Sequence, residues 1–362
     1  MTEEIQKIYN SARSPGKIII TGEHSVLYGA EALACAVAKY TTVSFIPIKR
    51  ENQLETSING EKAKPRPFGA LKKLKNKLDK RFELFLEGNL PVRNILSRPD
   101  DLLLYSLTVA ASHLPLPLPE PGRIESKSDI PLGAGMGSSA AAVAAMLKLS
   151  LHLLDLPEMN AEKFFETVRF CERLQHGKGS ALDAATVTFG GIIKLNAAKP
   201  EKFATDKYAN IEENFHTFLH GIPATSTGEC VSFVRRHFAE DTALWRDFSA
   251  VCKEICNLLK TENPQDENLI SAIRENHRLL CKIGVVPEAA QNLIRKIEAT
   301  GGAAKISGAG ATLGENAGML LIYHQDENYL KAVIEKYQPE KIKNLSRLQI
   351  APTGAEIIPN SE

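Results

Sequence analysis

The run Pro131-Leu132-Gly133-Ala134-Gly135-Met136-Gly137-Ser138-Ser139 concentrates groups able to hold an anion. Three glycines at alternate positions leave backbone N–H groups open to a ligand with no Cβ in the way. The alanine-rich apolar stretch from Ala140 onward reads as a helix. Its first turn adds unpaired N–H groups and the positive end of a dipole. Loop and helix start together make a phosphate cradle. Ser138 and Ser139, at the junction, can cap the helix or reach a metal ion. The spacing fits neither the Walker loop, G-x-x-x-x-G-K-[ST], nor the dinucleotide fingerprint, G-x-G-x-x-G, so the cradle is of another type.

Three further segments carry candidate chemistry. Ser14-Pro15-Gly16-Lys17 precedes Gly22-Glu23-His24, which places a lysine early in a short apolar strand and a Glu-His pair just beyond it. A lysine is a mobile point charge suited to phosphates or to lowering a neighbour's pKa. Glu172 and Asp183 flank the glycine-bearing loop His176-Gly177-Lys178-Gly179-Ser180. If both face one cavity, one carboxylate can hold a divalent ion and the other can orient or deprotonate a hydroxyl. Taken alone, Glu172 would be a surface charge and Asp183 a helix N-cap. Lys305-Ile306-Ser307-Gly308-Ala309-Gly310-Ala311-Thr312 is a glycine turn that means little by itself.

The elements that must position these groups follow from periodicity. The sequence predicts strands over 17–21, 40–48, 123–129, 185–195 and 318–323, and a helix over the alanine-rich 31–39. Residues 50–67 read as a loop or hairpin, and 113–121 as irregular for its prolines. Leu71, Leu74, Leu78 and Phe82 recur at helical spacing, opposite a lysine-rich solvated face. Helices are expected over 140–154, 160–174, 240–261, 264–283 and 287–299. The charged stretch 196–213 reads as a boundary, with one domain over 1–200 and another over 201–362. Mixed strands and helices argue for an α+β or α/β protein.

Composition excludes several classes. The chain has 362 residues, 43% of them apolar and 24% charged, with a net charge of +1. That balance gives no case for nucleic acid or an anionic membrane surface, so an anionic ligand must be held by local charge. Six scattered cysteines form no C-x-x-C pair, which argues against a zinc ribbon or a redox motif. The opening residues lack the apolar core of a signal peptide, and no apolar run is long enough to span a membrane, so the expected compartment is the cytoplasm.

Taken in order and spacing, the four segments resemble the GHMP kinases, from about Ser14 to about Gly310. Within that family the pattern is most like the mevalonate kinase branch. The specific pieces are Pro15-Gly16-Lys17 with Gly22-Glu23-His24, the loop Gly133 to Ser139, and His176-Gly177 followed by Asp183. The resemblance implies an α+β GHMP fold with an N-terminal domain like the second domain of ribosomal protein S5 and a ferredoxin-like C-terminal domain. It implies ATP and mevalonate as substrates, Mg²⁺ as cofactor and a homodimer. By the same resemblance Gly133, Ala134, Gly135, Met136, Gly137, Ser138 and Ser139 would wrap the ATP phosphates, and Ser128 would touch the nucleotide. Ser139 and Glu172 would hold Mg²⁺. Asp183 would be the catalytic aspartate and Lys17 the lysine lying against it and the acceptor hydroxyl, while Glu23 and His24 would line the acceptor pocket.

The pattern departs from mevalonate kinases at Lys178-Gly179-Ser180-Ala181, which is more like phosphomevalonate kinases, and at Ala311-Thr312, where further glycines are usual. A hydroxyl near the acceptor is expected within Thr225 to Cys230. The alternatives implied are a kinase acting on phosphomevalonate, a sugar or homoserine, the diphosphomevalonate decarboxylase branch, and a regulatory homologue without turnover. The matched Glu172 and Lys17 favour a plain kinase over the decarboxylase.

Overall fold

The computed structural model describes residues 10–48, 52–112, 114, 118, 120–177, 181–196, 199–204, 208–261 and 266–359. Lys178, Gly179 and Ser180, and most of 113–119, lie outside the described residues. The first half runs β1 (Asn10–Thr21), β2 (Ala32–Pro47), β3 (Gln53–Ile58), β4 (Glu61–Pro67), α1 (Phe68–Leu86), α2 (Asp101–Ala110), β5 (Gly122–Ser128), α3 (Ser138–Leu153), α4 (Ala161–His176), α5 (Leu182–Phe189), β6 (Ile192–Asn196) and β7 (Lys199–Lys202). The second runs α6 (Tyr208–Asn214), β8 (Phe215–Gly221), α7 (Thr227–Phe238), α8 (Thr242–Leu258), α9 (Asp266–Lys282), α10 (Glu288–Glu298), β9 (Ala303–Ser307), β10 (Gly318–Tyr323), α11 (Glu327–Tyr337), β11 (Leu345–Arg347) and β12 (Glu356–Ile358).

Two sheets carry the molecule. The first has the strand order β12-β1-β2-β5-β3-β4, with β6 and β7 branching from β2. Its pairs are antiparallel except β3 with β5. The second has the order β11-β8-β10-β9, and its three pairs are all antiparallel. Taken along the chain, the second sheet is built as strand, helices, two strands, helix, strand, in spatial order four-one-three-two. That is the ferredoxin-like arrangement expected for the C-terminal half.

Two segments differ from their sequence reading. Residues 31–39 form the first part of β2 rather than a helix. Ala32, Leu33, Ala34, Cys35 and Ala36 are all fully buried, between β1 on one side and β6 on the other. Alanine's helix preference is worth only a fraction of a kcal/mol per residue, and tertiary packing overrides it. The small side chains let α3, itself alanine-rich, lie directly on β1 and β2. Residues 185–195 are not one strand either: α5 holds 182–189, and Gly190-Gly191, both with positive φ, separate it from β6. The β-branched Thr186 is accommodated because its hydroxyl donates to Leu182 O at 2.7 Å.

Residues 50–67, read as a loop or hairpin, contain the hairpin of β3 and β4. The helix with Leu71, Leu74, Leu78 and Phe82 inward is α1, its lysines on the solvent side. The chain after Leu348 returns to the first sheet. Ile350 bridges Val37, Ala351 exchanges backbone bonds with Ala36 and Gly191, and Ala355 N–H donates to Val187 O. β12 then pairs with the outer edge of β1. No helix among the described residues is long and apolar enough to cross a membrane.

Candidate active site

A cavity of about 740 Å³ opens between the two sheets, and residues of both halves line it. Its floor is the glycine loop. Gly133, Gly135 and Gly137 have φ of 72°, 84° and 71°, a region that L side chains rarely adopt. α3 starts directly behind them with Gly137 as N-cap. No side chain caps it and no acidic residue sits in its first turn. Its first N–H groups are therefore available to an anion, as the sequence implied. Met136 O accepts from Lys17 N–H at 2.9 Å, which docks the loop onto β1.

Lys17 crosses from β1 to the start of α5, where its Nζ meets Asp183 Oδ1 at 3.1 Å. The lysine is buried and the aspartate partly open to the cavity. Asp183 does not act as a cap: Ala181 holds the N-cap position, and no side chain caps the helix. Glu172 lies one turn before the end of α4 and reaches the same place. Ser139 Oγ donates to Glu172 Oε2 at 3.0 Å, and His176 Nε2 lies 3.2 Å from Ser139 Oγ. Burial above all, then the nearby Asp183 charge, pushes the Glu172 carboxyl up to about 8. Its Oε1 is buried with no hydrogen-bond partner. Burial likewise pushes the His176 imidazole down, against the opposing pull of Asp183. Glu172, with its orphaned oxygen, and the Ser139 hydroxyl form a donor set that a hard cation would complete. Mg²⁺ fits this set, with phosphates and water completing its shell.

At the opposite end stand Glu23 and His24. His24 has φ 55° and ψ −48°, and Ser25 N–H donates to Glu23 O at 2.5 Å. That is a γ-turn with positive φ at a non-glycine residue, a strained form. His24 Nε2–H donates to Ala309 O at 3.0 Å, which assigns the neutral tautomer. Burial holds its pKa below the ordinary imidazole value. Nδ1 is left as a buried acceptor with no partner. Glu23 pairs with the wholly buried Lys305 of β9, which also donates to Ile306 O at 2.9 Å. Burial pushes the Glu23 carboxyl up and the Lys305 ammonium down, and each partner's charge opposes that push on the other. Between the two halves, Ile19 N–H also donates to Ser307 Oγ at 2.8 Å.

Lys17, Glu23, His24, Gly133, Gly135, Met136, Gly137, Ser138, Ser139, Glu172 and Asp183 thus line one cavity. Ala134 and Ser128 do not. Ala134 is buried behind the loop, its O accepting from Met319 N–H. Ser128 closes β5, its Oγ 2.8 Å from Thr41 Oγ1. Thr227, from the segment expected to bring a hydroxyl, does line the cavity. Sequence reasoning gave no role to His176 or Lys305. His176 stands four residues after Glu172, hence on the same helix face, a signal that was present. The signal for Lys305 is a lone charge in a strand that is buried at every position.

Residues 103–191 match the family model described as the GHMP kinases N terminal domain. Among solved structures, the fold matches a mevalonate kinase at 20% identity and a TM-score of 0.73, over 94% of this chain and 99% of the other. The mevalonate kinase of Methanococcus jannaschii matches at 19% identity and 0.72, over 98% of each chain. The galactokinase of Lactococcus lactis, complexed with galactose, matches at 14% and 0.69, over 97% of this chain and 95% of that one. No curated protein matches the chain in sequence. The likeness to these structures is one of fold. Residues 103–191 are thus similar to the GHMP kinase N-terminal domain, and the fold that carries them is the GHMP kinase fold.

Proposed function

We propose that this chain is an ATP-dependent kinase that transfers a phosphoryl group to the primary hydroxyl of (R)-mevalonate. The observation that carries the reading is the Lys17–Asp183 pair, 3.1 Å apart, set against a glycine loop and an uncapped helix start. Phosphoryl transfer calls mainly for positioning and for neutralised charge. The N–H groups of the loop and of α3 would hold the ATP phosphates. Asp183 would accept the hydroxyl proton, and Lys17 beside it would stabilise the developing alkoxide. Ser139 and Glu172 would hold Mg²⁺, which when bound neutralises phosphate oxygens. In this reading residues 1–200 bind ATP and metal and residues 201–362 close the acceptor side, except that 350–358 pack back on the first sheet.

The acceptor end favours a small branched aliphatic alcohol. Val26, Leu27 and Val231 line the cavity beside His24 and Thr227. Apolar walls suit a methyl-bearing carbon chain better than a sugar ring, whose hydroxyls each need a partner. His24 Nδ1 offers one acceptor for a substrate hydroxyl. The test is ADP release measured with mevalonate, phosphomevalonate, homoserine and galactose. Turnover with mevalonate well above the other three is expected. No turnover with mevalonate would overturn the assignment, and turnover with another of the four would reassign the acceptor.

Gly137 gives a sharper check on the geometry. A Cβ there would stand 2.9 Å from Lys17 Cγ, at a φ that strains any L residue. Gly137→Ala is expected to displace the lysine and lower kcat by about tenfold to a hundredfold, in line with the cost of a misplacement near 1 Å. A folded variant with wild-type kcat would show that the Lys17 position does not matter.

A further inference from the structure

The turn that carries His24 is closed by backbone hydrogen bonds, Val26 N–H to Gly22 O at 3.1 Å, Leu27 N–H to His24 O at 3.0 Å and Ala30 N–H to Ser25 O at 3.1 Å. It runs from Gly22, φ 100°, through the 3-10 helix Ser25–Tyr28 to Gly29, φ 90°. No side chain caps that helix at its start. His24 at its head is strained, and Val26 and Leu27 face the cavity. Such a conformation persists only where the surroundings impose it.

Ala309 O holds the His24 ring, and α8 supplies the surroundings at the far side of the turn. Trp245, the only tryptophan of the chain, stacks on Tyr28 with ring centroids 3.9 Å apart and planes 10° apart. Its indole N–H donates to Phe238 O at 2.8 Å, which fixes the ring plane. Phe248 packs against the same indole, 5.4 Å between centroids. One turn on, Cys252 Sγ lies 3.8 Å from Ser25 Oγ and accepts from Thr21 Oγ1 at 3.2 Å. Trp245, Phe248 and Cys252 share one face of α8, and the face runs along the whole turn. Trp245 itself does not line the cavity.

We propose that Trp245 is a positioning residue for the acceptor: by stacking on Tyr28 it holds the 22–29 turn, and through it His24, Val26 and Leu27, in the arrangement that receives the acceptor. The inference rests on the kinase reading above. A large rigid aromatic can do this because its stacking energy adds to its burial and loses little side-chain freedom. Tyr28 does not line the cavity either, so the stack acts on the acceptor end only through the turn.

The experiment measures KM for acceptor and for ATP separately, in wild type, Trp245→Ala, Trp245→Phe and Tyr28→Leu. Trp245→Ala and Tyr28→Leu are expected to raise the acceptor KM about tenfold or more while the ATP KM stays within about twofold, the signature of lost binding at one substrate only. Trp245→Phe, which keeps a stacking ring, is expected to recover most of the acceptor affinity. If Trp245→Ala does not fold, Tyr28→Leu decides alone. Wild-type emission from the single tryptophan is expected to change on adding acceptor. Unchanged acceptor KM in the folded variants, or equal change in both KM values, overturns the inference while wild-type turnover leaves the kinase reading intact. Absence of wild-type turnover with every acceptor overturns both.

Discussion

Asp183→Asn is expected to leave ATP affinity near the wild-type value and to lower kcat by about 10²–10⁴-fold, the usual worth of a positioned general base. The amide keeps the shape of the side chain and its place at the start of α5, so ground-state binding of the nucleotide should not change. Only the capacity to take the hydroxyl proton is lost, and kcat and kcat/KM should fall together. The change has a second consequence that separates it from a folding defect. Asp183 is the main charged group raising the Glu172 carboxyl towards 8, after burial. Removing that charge should bring Glu172 down and leave cation binding intact or improved. Calorimetric titration of ATP with Mg²⁺, beside steady-state kinetics, checks both halves. Wild-type-like turnover in the variant would remove Asp183 from the mechanism.

Lys305→Met should lose about 3–5 kcal/mol of stability, the cost of stranding one member of a buried ion pair. Both side chains are almost wholly shielded, and Lys305 donates to backbone oxygens as well as to Glu23. The methionine removes the ammonium and leaves the Glu23 carboxylate facing an apolar wall. Glu23→Leu should cost a similar amount for the mirror-image reason. The double variant should be more stable than either single one, because a well-packed apolar pair needs no compensation. Urea unfolding of the four proteins, read as a double-mutant cycle, gives the coupling directly. Single variants costing less than about 1 kcal/mol would mean that the pair is not held charged.

The residues that meet in the cavity were legible because their strings depend on local spacing. Gly133, Gly135, Gly137, Ser139, Lys17, Glu172 and Asp183 sit in short strings whose residue types have few other uses together. The amphipathic α1 and the helices of the second half were legible for the same reason, a clear period of apolar positions. What failed was the middle of the first sheet. Alanines in 31–39 suggest a helix, and Ala185 to Phe189 suggests a strand. Each tendency is weak against the need to fill the layer between β1, β2 and α3. The Glu23–Lys305 pair was illegible in another way: 282 residues separate the partners, and nothing local announces the meeting. Ala134 and Ser128 teach a further lesson. A motif can match as a string while one of its members turns its side chain behind the loop rather than into the cavity.

The return of the chain to β1 has a consequence for synthesis. Until residues 350–358 have left the ribosome, β1 has an open outer edge and α5 lacks the segment that packs against its end. Gly354 sits so close to Thr188 O that even a Cβ would stand 2.0 Å away, so little else could fill that groove. The nascent protein therefore carries an exposed strand edge, a template for unwanted pairing, until residues 350–358 have emerged. Asp183 sits on the helix that this segment buttresses, so the proposed site would be complete only once residues 350–358 have folded back, later than the glycine loop of the first half.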